Sequence, residues 1–497
     1  MVETLRSRNA MTATTPSAEF DAYRLVKLGR FAEALPLVQR AVSGSLVCRQ
    51  SHGLLASILI QLGRIADAEA VVSLATSLET GVSDAYDGLA YVSMILGRHE
   101  QANSLYRRAA QLSPDAPRFW YNFACSERSL GRLAEAEAAC DRAIAIDPSQ
   151  YPSYLLRSEL RVQVPAHNHV NELEAQLQRP GLNERATFFL GFALAKELDD
   201  LQRYDYAFKW FSAAARARRS RLQYDVAIDE KKLGRIAETY PVDASNSGSQ
   251  LYDTSRYVFI VGLPRSGTTL VERILTGLPG VRSNGETEYF SRSLLAATPA
   301  GPGDIFGRAA GADPDTVGAG YMRLADPRAS SDVILEKLPM NYLYVGAIRR
   351  ALPEAKILLV NRSPLDSCFA MYRTLFGEAY PFSYDLMELA RYYASYARLI
   401  DHWRKTSGID LHEIAYEDLV ENPRKVGTDM ARHCGLTWTN EAVDIQKNSS
   451  VSLTASASQV RQPIYGTSSG KWRLYRRHLS GMISELRRRG VTLPSDA

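Results

Sequence analysis

Along the first half of the chain, apolar and polar positions alternate with helical spacing, and the pattern restarts at a fixed interval. Four segments, LGRFAEA, LGRIADA, LGRHEQA and LGRLAEA, place Gly29, Gly63, Gly97 and Gly131 at one constant step. Alanines recur in phase at Ala34, Ala68, Ala102 and Ala136, and again seven residues later at Ala41, Ala75, Ala109 and Ala143. This pattern predicts two helices per unit, joined at a glycine that tolerates a tight turn. The small alanines let neighbouring helices approach closely. Prolines in LSPDAP (112–117) and IDPSQYP (146–152) stop one hairpin and start the next.

The step matches that of the tetratricopeptide repeat, a stacked helical hairpin with a period of about 34 residues. The phase breaks after the fourth unit, where Pro165 stands in the glycine position. Helical spacing resumes over 188–219, with Ala207 and Ala214 keeping the seven-residue step, and reads as a degenerate repeat that caps the stack. Such an array is either a scaffold or a concave surface for a peptide or partner protein. Residues 1–18 carry no pattern and read as a disordered leader. The segment 238–254 is rich in small polar residues and reads as a linker, which assigns 19–237 to an all-α solenoid.

From residue 255 the period changes. RYVFIVGL is a short apolar run typical of a buried parallel strand, and GTTLVERILTGL after it has helical spacing. The loop between them, GLPRSGTT, is close to the phosphate-binding pattern G-x-x-x-x-G-K-[ST]. Gly262 and Gly267 have the required spacing and Thr269 supplies the last hydroxyl, but Thr268 stands where the lysine belongs and the cation is Arg265. Backbone N–H groups at the helix start, with Ser266, Thr268 and Thr269, predict an anion nest. DVILEKLP and AKILLVNRSP read as further strands, ending in Lys337 and Arg362. Ligands of open α/β sheets bind beyond the carboxyl ends of the strands, so Arg265, Lys337 and Arg362 are expected to converge on one crevice. Missing the loop lysine and an aspartate after a later strand, the site argues against nucleotide hydrolysis and for cations in place of a metal. The Gly-, Ala- and Pro-rich stretch 298–332 predicts a mobile loop with one short helix.

Composition adds limits. A net charge of +4 over 497 residues gives no case for nucleic acid. Five scattered cysteines lack metal or redox spacing and read as reduced thiols of a cytoplasmic protein. The first residues have no secretory pattern, and no apolar run reaches membrane-spanning length. The eight histidines form no ligand cluster. The basic tail 471–490 reads as a solvated helix face or as a steering surface for an anionic donor or acceptor.

Several motifs together carry a resemblance. PRSGTTL (264–270), NRSPLDSCFAMYR (361–373), YEDLVENP (416–423) and SASQVRQPIYGTSSGKW (456–472) resemble the sulfotransferases that use 3′-phosphoadenosine 5′-phosphosulfate, and most closely the tyrosylprotein sulfotransferase branch. The chain also looks like bacterial proteins that fuse tetratricopeptide repeats to such a domain. The resemblance implies a P-loop-type α/β domain over 255–497 and a phosphosulfate donor, with no metal required. It places Arg265, Ser266, Gly267, Thr268 and Thr269 on the phosphosulfate, Arg362 on the 3′-phosphate, and Tyr416 and Lys471 on the nucleotide. Tyr416 is equally well read as a core aromatic. Arg265, Lys337 and Ser456 are assigned the sulfonate and leaving phosphate, and the separation of Ser456 from Lys471 matches the family spacing. Glu286 is implied as the general base, with Glu288 as its competitor from the residues alone. One position departs: the family serine eight residues after the motif arginine falls on Ala370, with Ser363 and Ser367 as the nearby hydroxyls that could stand in for it. The animal branch carries an N-terminal membrane anchor and luminal disulfides, and this sequence shows neither feature. The expected reaction is sulfuryl transfer to tyrosine in a protein or peptide recruited by the repeats. The alternatives are the same chemistry on a carbohydrate, lipid or small phenol, and a non-catalytic nucleotide-binding scaffold. Homodimerisation is left open.

Overall fold

In the computed structural model of the protein, the four repeat glycines adopt φ values of 72°, 74°, 73° and 83°, the left-handed region that favours glycine. Each closes its helix with the same pair of backbone bonds. The Gly131 N–H donates to Arg128 O at 3.0 Å and the Arg132 N–H to Glu127 O at 2.9 Å, a Schellman cap that recurs in the other three units. The structure describes residues 17–43, 50–77, 81–242, 251–327, 329–406, 408–448, 462–466 and 468–497.

The chain forms two compact units, Met1–Ser153 and Tyr154–Ala497. The first contains the hairpins α1 (Ser17–Lys27) and α2 (Phe31–Ser43), α3 (Gln50–Gln61) and α4 (Ile65–Ser77), α5 (Ser83–Ile95) and α6 (His99–Leu112), and α7 (Pro117–Leu130) and α8 (Leu133–Ile146). The in-phase alanines are its packing points: Ala34, Ala68, Ala102, Ala136, Ala75, Ala109 and Ala143 are all buried. A larger side chain there would push the helices apart.

Helix α9 (Tyr151–Glu159) leads into the second unit, which begins with α10 (Val170–Leu177), α11 (Glu184–Asp200), α12 (Tyr204–Arg219) and α13 (Val226–Thr239). Helices α11 and α12 form the expected hairpin. Its turn, Leu201-Gln202-Arg203, has no glycine, yet Gln202 takes φ 59° and the same two cap bonds form, to Asp199 O and Leu198 O. A non-glycine residue in this region costs about 1–2 kcal/mol, so the packed hairpin holds the cap at that cost. The composition break at 238–254 lies inside this compact unit, which groups α10–α13 with the sheet that follows.

That sheet has the order β2-β3-β1-β4-β5 and is parallel throughout. Its strands are β1 (Tyr257–Gly262), β2 (Val281–Ser283), β3 (Val333–Glu336), β4 (Lys356–Asn361) and β5 (Leu411–Ala415). Strand β1 is buried along its whole length, which explains its unbroken apolar run. On one face, Val258, Ile260, Leu358 and Val360 pack with Val271, Ile274 and Leu275 of α14 (Thr268–Leu275). On the other, Phe259 meets Phe290 and Tyr321 with ring centroids 5.9 and 5.3 Å away. Phe290 belongs to α15 (Tyr289–Ala297).

The stretch 298–332 differs from expectation. It forms two helices, α16 (Ile305–Ala310) and α17 (Pro314–Ala325). Asp304 accepts the N–H groups of Phe306 and Gly307, and Asp313 that of Thr316, so each aspartate caps a helix that the Gly and Ala content obscured. Among the described residues the further α-helices are α18 (Val345–Ala351), α19 (Pro364–Tyr372), α20 (Leu386–Lys405), α21 (Tyr416–Glu421), α22 (Pro423–His433) and α23 (Ser480–Arg488).

Candidate active site

Because β1 lies between β3 and β4, the sheet order reverses beside it, and the carboxyl ends of these strands open a crevice. The loop from β1 to α14 fills that position. Gly262, at φ 152°, lies against β4: a Cβ there would sit 2.6 Å from Val360 O. Gly267, at φ 110°, begins α14, and a Cβ there would sit 2.4 Å from the Tyr416 ring. Both glycines are therefore fixed by close approach as well as by conformation. Between them Arg265 takes φ 67°, a strained value for an arginine. The Arg362 Nη1 donates to Arg265 O at 3.0 Å and braces the strained turn.

A cavity of about 110 Å³ sits over this loop, lined by Arg265, Gly267, Thr268, Thr269, Arg362, Ala370, Arg373, Tyr416 and Ser468 among others. Arg265 is partly exposed to the cavity yet deep in the protein. Burial, with Arg373 nearby, pulls its pKa down to about 10, which leaves it charged at neutral pH. Burial also lowers Arg362. Arg362 Nη2 donates to Ser468 O at 2.6 Å, and its guanidinium lies 4.6 Å from the centroid of the Tyr416 ring. The Tyr416 hydroxyl pairs with Ser468 Oγ at 2.6 Å. Tyr416 is thus both a packed aromatic and a wall of the cavity. The buried Ser266 Oγ, Arg362 Nε and Arg373 Nε have no hydrogen-bond partner among the described residues. Buried polar groups rarely stay unpaired, and those of Arg362 and Arg373, which both line the cavity, fit a ligand with several anionic oxygens.

Arg373 is a site residue that sequence reasoning misses. It closes the motif that begins at Asn361 and lies one helical turn beyond Ala370, so the signal is present in the spacing. Its Nη1 donates to Asp199 Oδ2 at 2.6 Å. The same carboxylate accepts from Lys471 Nζ at 2.5 Å and from the Tyr475 hydroxyl at 2.5 Å. Burial pushes the Asp199 carboxyl up, but Arg373 and Lys471 outweigh it and hold the group below the usual range. Lys471, expected at the nucleotide, is directed at Asp199 in this structure. Ser456 lies outside the described residues.

Lys337 follows β3 directly and its side chain is fully buried. Its Nζ donates to Glu286 Oε1 at 2.5 Å and lies 3.7 Å from Glu272 Oε2. Glu272 is itself held by Ser283 Oγ at 2.5 Å. Backbone bonds from Asn284 N–H to Leu335 O and from Lys337 N–H to Gly285 O tie the carboxylate-bearing loop to β3. Glu288 is exposed and forms no ion pair among the described residues, so the structure brings Glu286, not Glu288, to Lys337. The neighbour Glu336 is fully buried, accepts from Asn341 Nδ2 at 2.8 Å, and is pushed up to about 7 by burial. No group of acidic, histidine or cysteine side chains among the described residues could hold a metal ion. No described helix is long and apolar enough to cross a membrane.

Comparisons agree with this architecture. Residues 257–440 match the sulfotransferase family, and residues 22–80 and 89–151 match the tetratricopeptide repeat. The chain thus carries a sulfotransferase-family domain behind N-terminal tetratricopeptide repeats. An uncharacterized protein of Aquifex aeolicus (strain VF5) is 27% identical over 359 residues, which are 69% of this chain and 46% of that protein. The chain therefore spans about half the length of that relative. Among solved structures, the sulfotransferase domain of the Synechococcus PCC 7002 olefin synthase is 20% identical, with 48% of this chain and 95% of that one covered and a TM-score of 0.33. A sulfotransferase from Alicyclobacillus acidocaldarius is 18% identical, with 48% and 96% covered and a TM-score of 0.28.

Proposed function

We propose that the protein transfers a sulfuryl group from 3′-phosphoadenosine 5′-phosphosulfate to a hydroxyl acceptor, most favourably tyrosine in a protein or peptide. The observation that carries the reading is the cavity at the carboxyl ends of β1 and β4, where Arg265, Arg362 and Arg373 meet the N-terminus of α14. The loop amides and the hydroxyls of Ser266, Thr268 and Thr269 would hold the phosphosulfate, and Arg362 the 3′-phosphate. Arg265 and Lys337 would offset charge on the moving group and the leaving phosphate. Glu286 would take the acceptor proton. The acceptor oxygen forms its bond to sulfur as the bond from sulfur to the phosphate oxygen breaks, so the products are the sulfated acceptor and 3′-phosphoadenosine 5′-phosphate. Positioning and electrostatics supply most of the acceleration in such in-line transfers. Tetratricopeptide arrays present extended surfaces, which suits recruitment of a protein acceptor. Cys368 and Cys434 are buried thiols outside any disulfide, which fits a reducing compartment.

The test is transfer of ³⁵S from labelled donor to a panel of tyrosine peptides, glycans and phenols. Label on tyrosine peptides alone supports the full reading. Label on a glycan or phenol instead replaces the acceptor and keeps the chemistry. No transfer to any class, with the donor bound, overturns the enzyme assignment.

A further inference from the structure

Asp199 lies near the end of α11, in the helical hairpin rather than in the sheet, yet it is wired into the anion cavity. Its carboxylate is nearly inaccessible, with a side chain 3% exposed, and it holds two cations and a hydroxyl at once: Arg373, Lys471 and Tyr475. Arg373 lines the cavity and Ala370 faces it from the preceding helical turn. Ala370 has no side chain able to hold an anion. Arg373, three residues beyond Ala370, lines the cavity where Ser363 and Ser367 do not, and its orientation is set by Asp199 through Nη1 while its buried Nε is left without a partner among the described residues. A long arginine side chain is otherwise free to choose among many rotamers; a buried carboxylate on one end of the fork removes that freedom.

We propose that Asp199 is a positioning residue for the donor pocket: it holds Arg373 as the anion ligand that replaces the hydroxyl absent at Ala370. The hairpin α11/α12 is then a component of the donor site and not a detachable repeat. Donor selectivity depends on a residue 174 positions away in sequence from the arginine it aims. This rests on the proposed donor, and the test separates the two.

Affinities for 3′-phosphoadenosine 5′-phosphate and for adenosine 5′-monophosphate are measured by calorimetry on the full chain, wild type and variants. A wild type that binds both nucleotides equally overturns the donor assignment, and this inference with it. With a selective wild type, Asp199→Asn and Arg373→Ala are each expected to weaken the 3′-phosphorylated nucleotide about tenfold and the monophosphate less than about twofold, and the double variant to be no worse than the weaker single, as for coupled residues. Equal loss for both nucleotides, losses that multiply, or unchanged selectivity would each overturn the inference and leave the donor assignment standing. A purely structural role of Asp199 would not move the ratio between two ligands that differ only in one phosphate. If Asp199→Asn yields no folded protein, Asp199→Glu keeps the charge and displaces it by one methylene; selectivity is expected to drop several-fold, and retained selectivity sinks the proposal.

Discussion

Lys337 and Glu286 meet at 2.5 Å, the lysine fully buried and the carboxylate 41% exposed. The pair points a buried cation outward through an accessible anion. Each partner has a distinct expected effect. Glu286→Gln should lower kcat by about 10²- to 10⁴-fold while nucleotide affinity stays within about twofold. Lys337→Met should lower kcat by roughly 10²- to 10³-fold. Steady-state kinetics with labelled donor, alongside calorimetry with the product nucleotide, checks both; a fall in nucleotide affinity without a fall in kcat for Glu286→Gln would exclude it as the base.

Gly267 meets Tyr416 more closely than any side chain allows. Gly267→Ala adds left-handed strain to a Cβ only 2.4 Å from the ring, and should destabilise the protein by about 1–3 kcal/mol. It should also weaken nucleotide binding more than tenfold, since the loop amides move. Adding Tyr416→Ala should restore part of the thermal stability but not the binding. Thermal melts of the two variants decide the point.

Arg362 spans two carbonyls, Arg265 O and Ser468 O, from one guanidinium. An ammonium cannot reproduce that fork. Arg362→Lys should therefore weaken the 3′-phosphorylated nucleotide about tenfold, despite conserving charge, and lower the melting temperature. Affinity equal to wild type would show that charge alone suffices.

Glu336 supplies a pH signature. Its carboxyl, pushed by burial from an ordinary 4.5 to about 7, binds a proton more tightly folded than unfolded. Its contribution is thus fully present below pH 4.5 and is lost as pH rises to about 7. The loss over that window is about 3 kcal/mol. Glu336→Gln should melt close to wild type at pH 5 and several degrees higher at pH 8. An equal difference at both values would mean the carboxyl is not the titrating group.

What can be read from the sequence is local. The repeat glycines announce their turns because the left-handed cap needs only a few adjacent residues. The loop Gly262–Gly267 is equally self-contained, and the strand ends Lys337 and Arg362 follow from apolar runs. The turn at Gln202 shows the limit: the cap persists without the glycine that would signal it. The helix starts at Asp304 and Asp313 are present as caps but are masked by their Gly- and Ala-rich surroundings. Asp199 is beyond reach, because no period links α11 to Arg373 or Lys471. Lys471 is similar: the resemblance implies a nucleotide contact there, and its link to Asp199 is visible only in the structure.

The uniform cap at Gly29, Gly63, Gly97 and Gly131 has one more consequence. Each hairpin leaves its turn with the same backbone geometry, and each alanine seam is the same kind of contact, so the stack behaves as a ruler with evenly spaced graduations, one per repeat. Whole graduations can be duplicated or excised without creating a new kind of junction, whereas a change of any other length shifts every seam out of register.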